Sequence, residues 1–220
     1  QLSSPLHLSP KSSLRVTKSE RTRTAILNAA LDFVWVHPFH EMTVSSLMAS
    51  TGVSRATFYQ YFSDLHELME TLLDFLQEEI FVAAAPWISG TGDPVSLMYE
   101  ALDGLVRVCY ERGPLLKAIF DSATADKRFE NAWEKFLGGF DDAGCARIKA
   151  DQEQGLIPDF DPYSVMFALN RLDAYTLISA FGQHPRKEPE PIREALARIW
   201  ASSLYGAEYI GTGSSTLNRT

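Results

Sequence analysis

The chain has 220 residues, a formal net charge of −8 at pH 7 and 45% apolar side chains, which is long enough to bury a core and too apolar for disorder throughout. No uncharged run exceeds 13 residues, and the more apolar one of that length, Ile80 to Gly92, contains Pro86, well short of the roughly 20 apolar residues that cross a bilayer. Two cysteines, Cys109 and Cys145, supply neither a disulfide framework nor a four-ligand zinc site, and the opening QLSSPLHLSP lacks the apolar core of a signal peptide, so no metal, no cofactor, no membrane partner and a cytoplasmic location are expected.

Segments of helical period dominate, the breakers fall between them, and isolated alternating strand patterns are absent. Residues 1–62 hold six basic and three acidic side chains, whereas residues 63–220 hold 14 basic and 25 acidic ones. A basic front on an acidic body suits an anion-binding N-terminal part, and a solvated tail accounts for residues 1–18 equally well. A first helix runs from about Ser19 to Val36 and ends before Pro38. Thr43 caps a short second helix from Val44 to about Thr51, Gly52 makes the turn, and Ser54 caps a third through Phe62. A long fourth helix, Leu65 to Ala84, ends at Pro86. A fifth carries Val95, Met98, Tyr99, Leu102, Val106, Cys109 and Tyr110 and closes at Gly113 and Pro114, before a short sixth around Leu115 to Phe120. A seventh carries Phe129 to Gln154, Pro162 opens an eighth through Phe181, and a ninth spans Ile192 to Leu204 after the polar link GQHPRKEPEP. The expected fold is all-α, with about nine helices.

The stretch with chemistry in it is Thr43 to Phe62. A helix, a glycine turn and a capped second helix form the helix-turn-helix arrangement, whose second helix enters the major groove. On a helical projection Phe58 and Phe62 share the inward stripe. Ala56 and Gln60 lie opposite, with Arg55 and Tyr59 on one shoulder and Thr57 and Tyr61 on the other. No acid occurs between Val44 and Ser63, so phosphate repulsion is avoided. Arg55 can bridge O6 and N7 of guanine, Gln60 can pair with adenine, Ala56 allows close approach, and the hydroxyls of Thr57 and Tyr61 can anchor phosphates. Together with Thr43, Ser54 and Tyr59 these form the candidate DNA-contact set. A helical hairpin whose tyrosines only pack at its edge is the alternative.

RTRTAILNAALDFV followed by MTVSSLMASTGVSRATFYQYF resembles the N-terminal DNA-binding domain of the TetR family of bacterial transcriptional regulators. His37-Pro38-Phe39, the runs Ala168 to Asp173 and Thr176 to Gly182, and Ile199 to Gly206 are similar to the EthR-type repressors of that family. The charge of residues 1–18 suits a flexible basic arm, and the lack of periodicity over 209–220 a disordered tail; the resemblance implies a helix-turn-helix domain over 19–66 and an effector-binding and dimerisation domain over 67–208. It implies a homodimer through the eighth and ninth helices that binds double-stranded operator DNA as an inverted repeat, commonly as a repressor, and is released by a small hydrophobic effector. One position departs from the pattern: where the family places a lysine at the start of helix four, this chain reads Ser63-Asp64-Leu65-His66.

Aromatic residues at helical spacing form either a plain core or the walls of a ligand cavity. Polar interruptions in the apolar stripes favour a cavity with a few placed polar groups. With the resemblance, the candidate wall residues are Tyr99, Leu102, Asp103, Val106, Tyr110, Trp133, Phe136, Phe140, Asn170, Asp173 and Thr176. A ligand-independent DNA-binding protein with a filled core, or a helical enzyme, are the alternatives. No Ser-His-Asp spacing, phosphate loop, HExxH or CxxC occurs, so no catalytic residue is expected. His184 reads as a solvated loop residue, and Asp141-Asp142 as part of an exposed helical face.

Overall fold

The first N–H groups of a helix lack partners within it, and a side-chain oxygen just before the helix supplies one. In the computed structural model, which describes residues 7–9 and 17–206, that device starts almost every helix. Thr17 caps α1 (Lys18–Val36), Thr43 caps α2 (Val44–Ala49), Ser54 caps α3 (Arg55–Phe58) and Asp64 caps α4 (Leu65–Ser89). Asp93, Asp126 and Asp161 do the same for α5 (Pro94–Ala123), α6 (Lys127–Glu153) and α7 (Pro162–Phe181). Only α8 (Pro189–Leu204) starts without a side-chain cap. A 3₁₀ turn, Phe39–Glu41, bridges α1 and α2. Among the described residues there are eight α-helices and no strand.

The count is close to the expected nine because two expected helices are one. Residues 94–123 run through Gly113 and Pro114 without a break. A proline inside a helix leaves the carbonyl four residues earlier without its donor, here that of Tyr110. The Arg186 guanidinium takes up that carbonyl at 2.5 Å and lies over the Tyr110 ring, 4.0 Å from its centroid. In the same way α4 passes through Pro86 and ends at Ser89 rather than at Ala84. Val82, four residues before Pro86, is 77% exposed, so water can meet the freed carbonyl.

Two apolar clusters fill the interior. The larger one runs from Ile26, Ala30, Leu47 and Phe58 of the first three helices through Leu68, Leu72 and Leu76 of α4 to Ile119, Trp133 and Phe181 of the body. The smaller joins Trp87, Met98, Met166 and Trp200 at the far end. The helix-turn-helix therefore shares one core with the body through α4, and no linker separates them.

Residues 7–9 lie in the segment expected to be a flexible arm, yet they are tied to α1. The backbone N–H of Leu8 donates to Asn28 Oδ1 at 2.7 Å, the Asn28 amide donates back to the Leu8 carbonyl at 3.0 Å, and His7 pairs with Asp32 at 2.8 Å. Lys11 and Arg15 of that arm, and the tail expected from residue 209, lie outside the described residues.

Close approach of α5 to the end of α7 depends on Gly113. A Cβ there would sit 2.3 Å from the Phe181 carbonyl oxygen, which backbone atoms cannot yield to cheaply. Gly113→Ala should therefore destabilise the protein by about 1–3 kcal/mol, read as a lower urea midpoint with an unchanged slope. An unaltered midpoint would show that the two helices are free to separate there.

Candidate nucleic-acid interface and effector cavity

The turn between α2 and α3 needs a left-handed residue, and Gly52 supplies it with φ +68°. Around it the local hydroxyls are engaged. Thr43 accepts from the Ser46 N–H at 3.0 Å, and Ser54 Oγ accepts from the Thr57 N–H at 3.3 Å while also bonding the Thr57 hydroxyl at 2.9 Å. Phe58 and Phe62 are buried. Arg55, Ala56, Tyr59 and Gln60 are exposed, and Thr57 and Tyr61 are half-buried, the inward and outward faces that the projection predicts. The regular helix stops at Phe58 rather than Phe62. Beyond it the chain winds tighter through bonds from Gln60 N–H to the Thr57 carbonyl at 3.1 Å and from Tyr61 N–H to the Phe58 carbonyl at 2.9 Å. Arg23 of α1 lies over the Phe62 ring, 5.2 Å from its centroid, and so backs the reading helix with positive charge.

In the stretch Ser63-Asp64-Leu65-His66 the acid Asp64, which caps α4, is fully engaged. It accepts the Glu67 N–H at 2.8 Å and pairs with Arg128 of α6 at 2.7 Å. Desolvation works to raise its pKa, but these two contacts outweigh it and hold the carboxyl below the usual range. Beside it, His66 and Asp126 lie 2.6 Å apart. The two pairs join the start of α4, just behind the reading helix, to the start of α6.

Within the body lies an internal cavity of about 90 Å³ bounded by α4 to α8. Leu102, Trp133, Phe136, Phe140, Asn170 and Asp173 line it, as expected. Tyr99, Asp103, Val106, Tyr110 and Thr176 do not. The wall of α5 is instead Met98, Leu102, Leu105 and Cys109, one residue before each of the misplaced positions, and one residue turns a helix by about 100°. Asp103 points outward, 3.7 Å from Arg193, and Tyr110 is turned onto Phe181 and Arg186. Val106 belongs to the closed core, Tyr99 packs beside the smaller cluster, and Thr176 stands off the stripe of Asn170, Asp173 and Leu177. Sequence reasoning missed Trp87, which follows the supposed helix-ending Pro86, and Trp200, placed in the ninth helix; both line the cavity.

Two polar side chains, Asn170 and Asp173, reach this wall. The Asn170 amide donates to Asp141 at 2.7 Å, and Asp141 also pairs with Arg171 at 2.6 Å. Asp141 is thus buried beside its partners rather than on an exposed face. Both oxygens of the buried Asp173 lie 3.1 Å from Trp200 Nε1. Desolvation pushes the Asp173 carboxyl up to about 7, against the Trp200 N–H that lowers it. Burial, with the Asp173 charge nearby, pushes the Cys109 thiol well above its usual range, so it is not a nucleophile. At the outer end Trp87 Nε1 donates to the Tyr205 hydroxyl at 2.7 Å, which donates to Asp151 at 3.0 Å. Asp151 in turn pairs with Arg147 at 2.9 Å.

The family model for bacterial regulatory proteins of the tetR family matches residues 26–72, and that for the C-terminal domain of the transcriptional regulator EthR matches residues 98–206. The chain belongs to the TetR family. It is a regulator of the EthR type, 26% identical to the HTH-type transcriptional regulator EthR of Mycolicibacterium smegmatis over 193 residues, covering 86% of this chain and 88% of that one. EthR of Mycobacterium tuberculosis is 26% identical over 188 residues, with 83% and 86% covered. The fold is shared with Salmonella enterica GusR, at a TM-score of 0.70, 20% identity and coverage of 86% of this chain and 98% of that one. It is shared also with the TetR family regulator PfmR of Thermus thermophilus, at 0.65, 15% identity and coverage of 79% and 96%. This TetR-family chain is accordingly a DNA-binding transcriptional regulator, and its relatives are regulators rather than enzymes.

The buried acid of this regulator gives its stability a pH dependence. Unfolded, the Asp173 carboxyl loses its proton near 3.8; folded, it keeps it to about 7. Its contribution is therefore complete below about pH 4 and is lost as pH rises to about 7, at about 1.4 kcal/mol per pH unit. Asp173→Asn should gain on the parent by several kcal/mol between those limits in urea unfolding at successive pH values. Parallel profiles would mean that Asp173 is not held as a buried acid.

Proposed function

We propose that this regulator is a cytoplasmic repressor that binds an inverted-repeat operator as a homodimer and leaves it when a small, mainly apolar molecule occupies the α4–α8 cavity. The observation that carries the reading is the outward chemistry of α3. Arg55 and Gln60 are exposed, Ala56 leaves room between them, and no acid interrupts the surface from Val44 to Ser63. Arg55 and Gln60 read base edges, and Tyr59, Tyr61 and Thr57 meet the backbone, while the hydroxyls of Thr43 and Ser54 hold the two helix starts in place.

Dimerisation through α7 and α8, the expected eighth and ninth helices, is supported by large apolar side chains left exposed on α7: Tyr163, Phe167, Leu172 and Tyr175. Two reading helices about 34–36 Å apart then meet one face of the duplex. α4 links the two ends of the mechanism. It begins at Asp64 behind the reading helix and lines the cavity with Ile80, Ala84, Trp87 and Ile88. At about 90 Å³ the cavity is smaller than the ~300–1,000 Å³ of ordinary ligand sites, so an effector displaces wall side chains, and α4 carries the displacement to the DNA-binding end. Differential affinity for the two arrangements supplies the release. The small volume equally favours a second reading, a ligand-independent regulator with a filled core.

Two measurements test this. Arg55→Ala should cost about 1–3 kcal/mol in operator binding and relax preference at one base of each half-site, whereas uniform weakening across sequences would demote Arg55 to a phosphate contact. Thermal melting against a series of apolar compounds should find some that raise the melting temperature and lower operator affinity in the same concentration range; tight operator binding with no ligand-induced shift would establish the filled core.

A further inference from the structure

A second and larger opening lies where the DNA-binding end meets the body. It measures about 840 Å³, within the size range of small-molecule sites. One wall is the end of α1 and the turn after it, with Trp35, Pro38 and Phe39; the other is α5 around Pro114 and Ala118, with Phe129 of α6 at its floor and His184 at its rim. The link containing His184, which reads as solvated in the sequence, is folded against this wall, with the His184 and Trp35 rings 5.4 Å apart, edge to face.

Folded proteins leave few buried polar groups without partners. In the described residues two side-chain nitrogens are so left, Trp35 Nε1 and His184 Nε2, and both residues line this one cleft. Trp35 is only 8% exposed. Its indole N–H can donate and cannot accept, and an imidazole nitrogen can donate in one tautomer. The Arg186 guanidinium lies over the Trp35 ring, 4.9 Å from its centroid, and adds positive potential at the same end. The charged side chains elsewhere on the walls are already matched: Lys117 pairs with Asp121 at 2.8 Å, and His66 with Asp126 at 2.6 Å.

We propose that this interdomain cleft is a second ligand site, which takes a compact aromatic or apolar molecule through a carbonyl or carboxylate oxygen that reaches Trp35 Nε1 and His184 Nε2, both covered from solvent in this structure, as the His184 link moves aside. The oxygen supplies what a donor-only indole lacks, and the apolar body covers Phe39, Pro114 and Phe129. A molecule seated there touches α1 and the body together, so its binding holds the reading head at one orientation, independently of the α4–α8 cavity.

The four tryptophans separate the two sites, because Trp87, Trp133 and Trp200 line the inner cavity while Trp35 lines the cleft. In nitrogen-15 correlation spectra of the full chain, with the Trp35 indole peak assigned by Trp35→Phe, millimolar benzamide and benzoate serve as probes of the carbonyl and carboxylate forms. A saturable movement of the Trp35 indole peak, with the other three indoles still, is the expected result, and the stronger of the two probes identifies the form preferred. Ala125→Phe, placed on an exposed turn at the cleft mouth, should abolish the movement in a protein whose other peaks are unchanged. A Trp35 peak that neither probe moves, movement confined to the other three indoles, or movement that survives Ala125→Phe would each overturn the proposal.

Discussion

The carbonyl of Tyr110 has no donor within its own helix because Pro114 lacks an N–H, and Arg186 provides one from a link that follows α7 in the chain. Much of the architecture depends on that replacement. With it, α5 continues for 30 residues, lining the inner cavity between Met98 and Leu116 and the interdomain cleft between Pro114 and Ser122. Arg186 also lies over Tyr110 and Trp35 at once, so one guanidinium joins the Tyr110 turn of α5 to the end of the first helix of the DNA-binding part. Gly113, one residue before the proline, allows the Phe181 backbone to come close enough for the link to reach.

Charge is distributed to match. The reading helix is free of acids, and the acid closest to it, Asp64, is spent on a helix cap and on Arg128. An acidic body disfavours DNA everywhere except at that head. The Asp64–Arg128 and His66–Asp126 pairs make a polar clasp between the starts of α4 and α6, while the apolar core runs unbroken beneath it. The head is therefore attached by a shared core and a few surface pairs.

Local signals suffice for the helix caps and the glycine turn. Thr43, Gly52 and Ser54 each act on residues within three positions, and the inward Phe58 and Phe62 follow from helical period alone. On α5 the same period locates a wall but not its angle: Tyr99, Asp103, Val106 and Tyr110 form a stripe as regular as Met98, Leu102, Leu105 and Cys109, and only packing against α4, α6 and α7 selects between neighbours about 100° apart. Asp141 illustrates the reverse case, an acid whose burial is possible only because Arg171 and Asn170, some thirty positions away, come to meet it.

By itself the sequence determined an all-helical chain with a capped helix-turn-helix, an acid-free reading surface and an apolar, aromatic-walled body, because caps, glycine turns and hydrophobic period are short-range effects. Tertiary structure alone decided that Pro114 lies inside a helix, that Asp173 and Trp200 meet at the cavity wall, and that Trp35 and His184 face a common cleft. Each of those depends on groups far apart in the chain arriving within hydrogen-bonding or packing distance, and no window of sequence contains both partners.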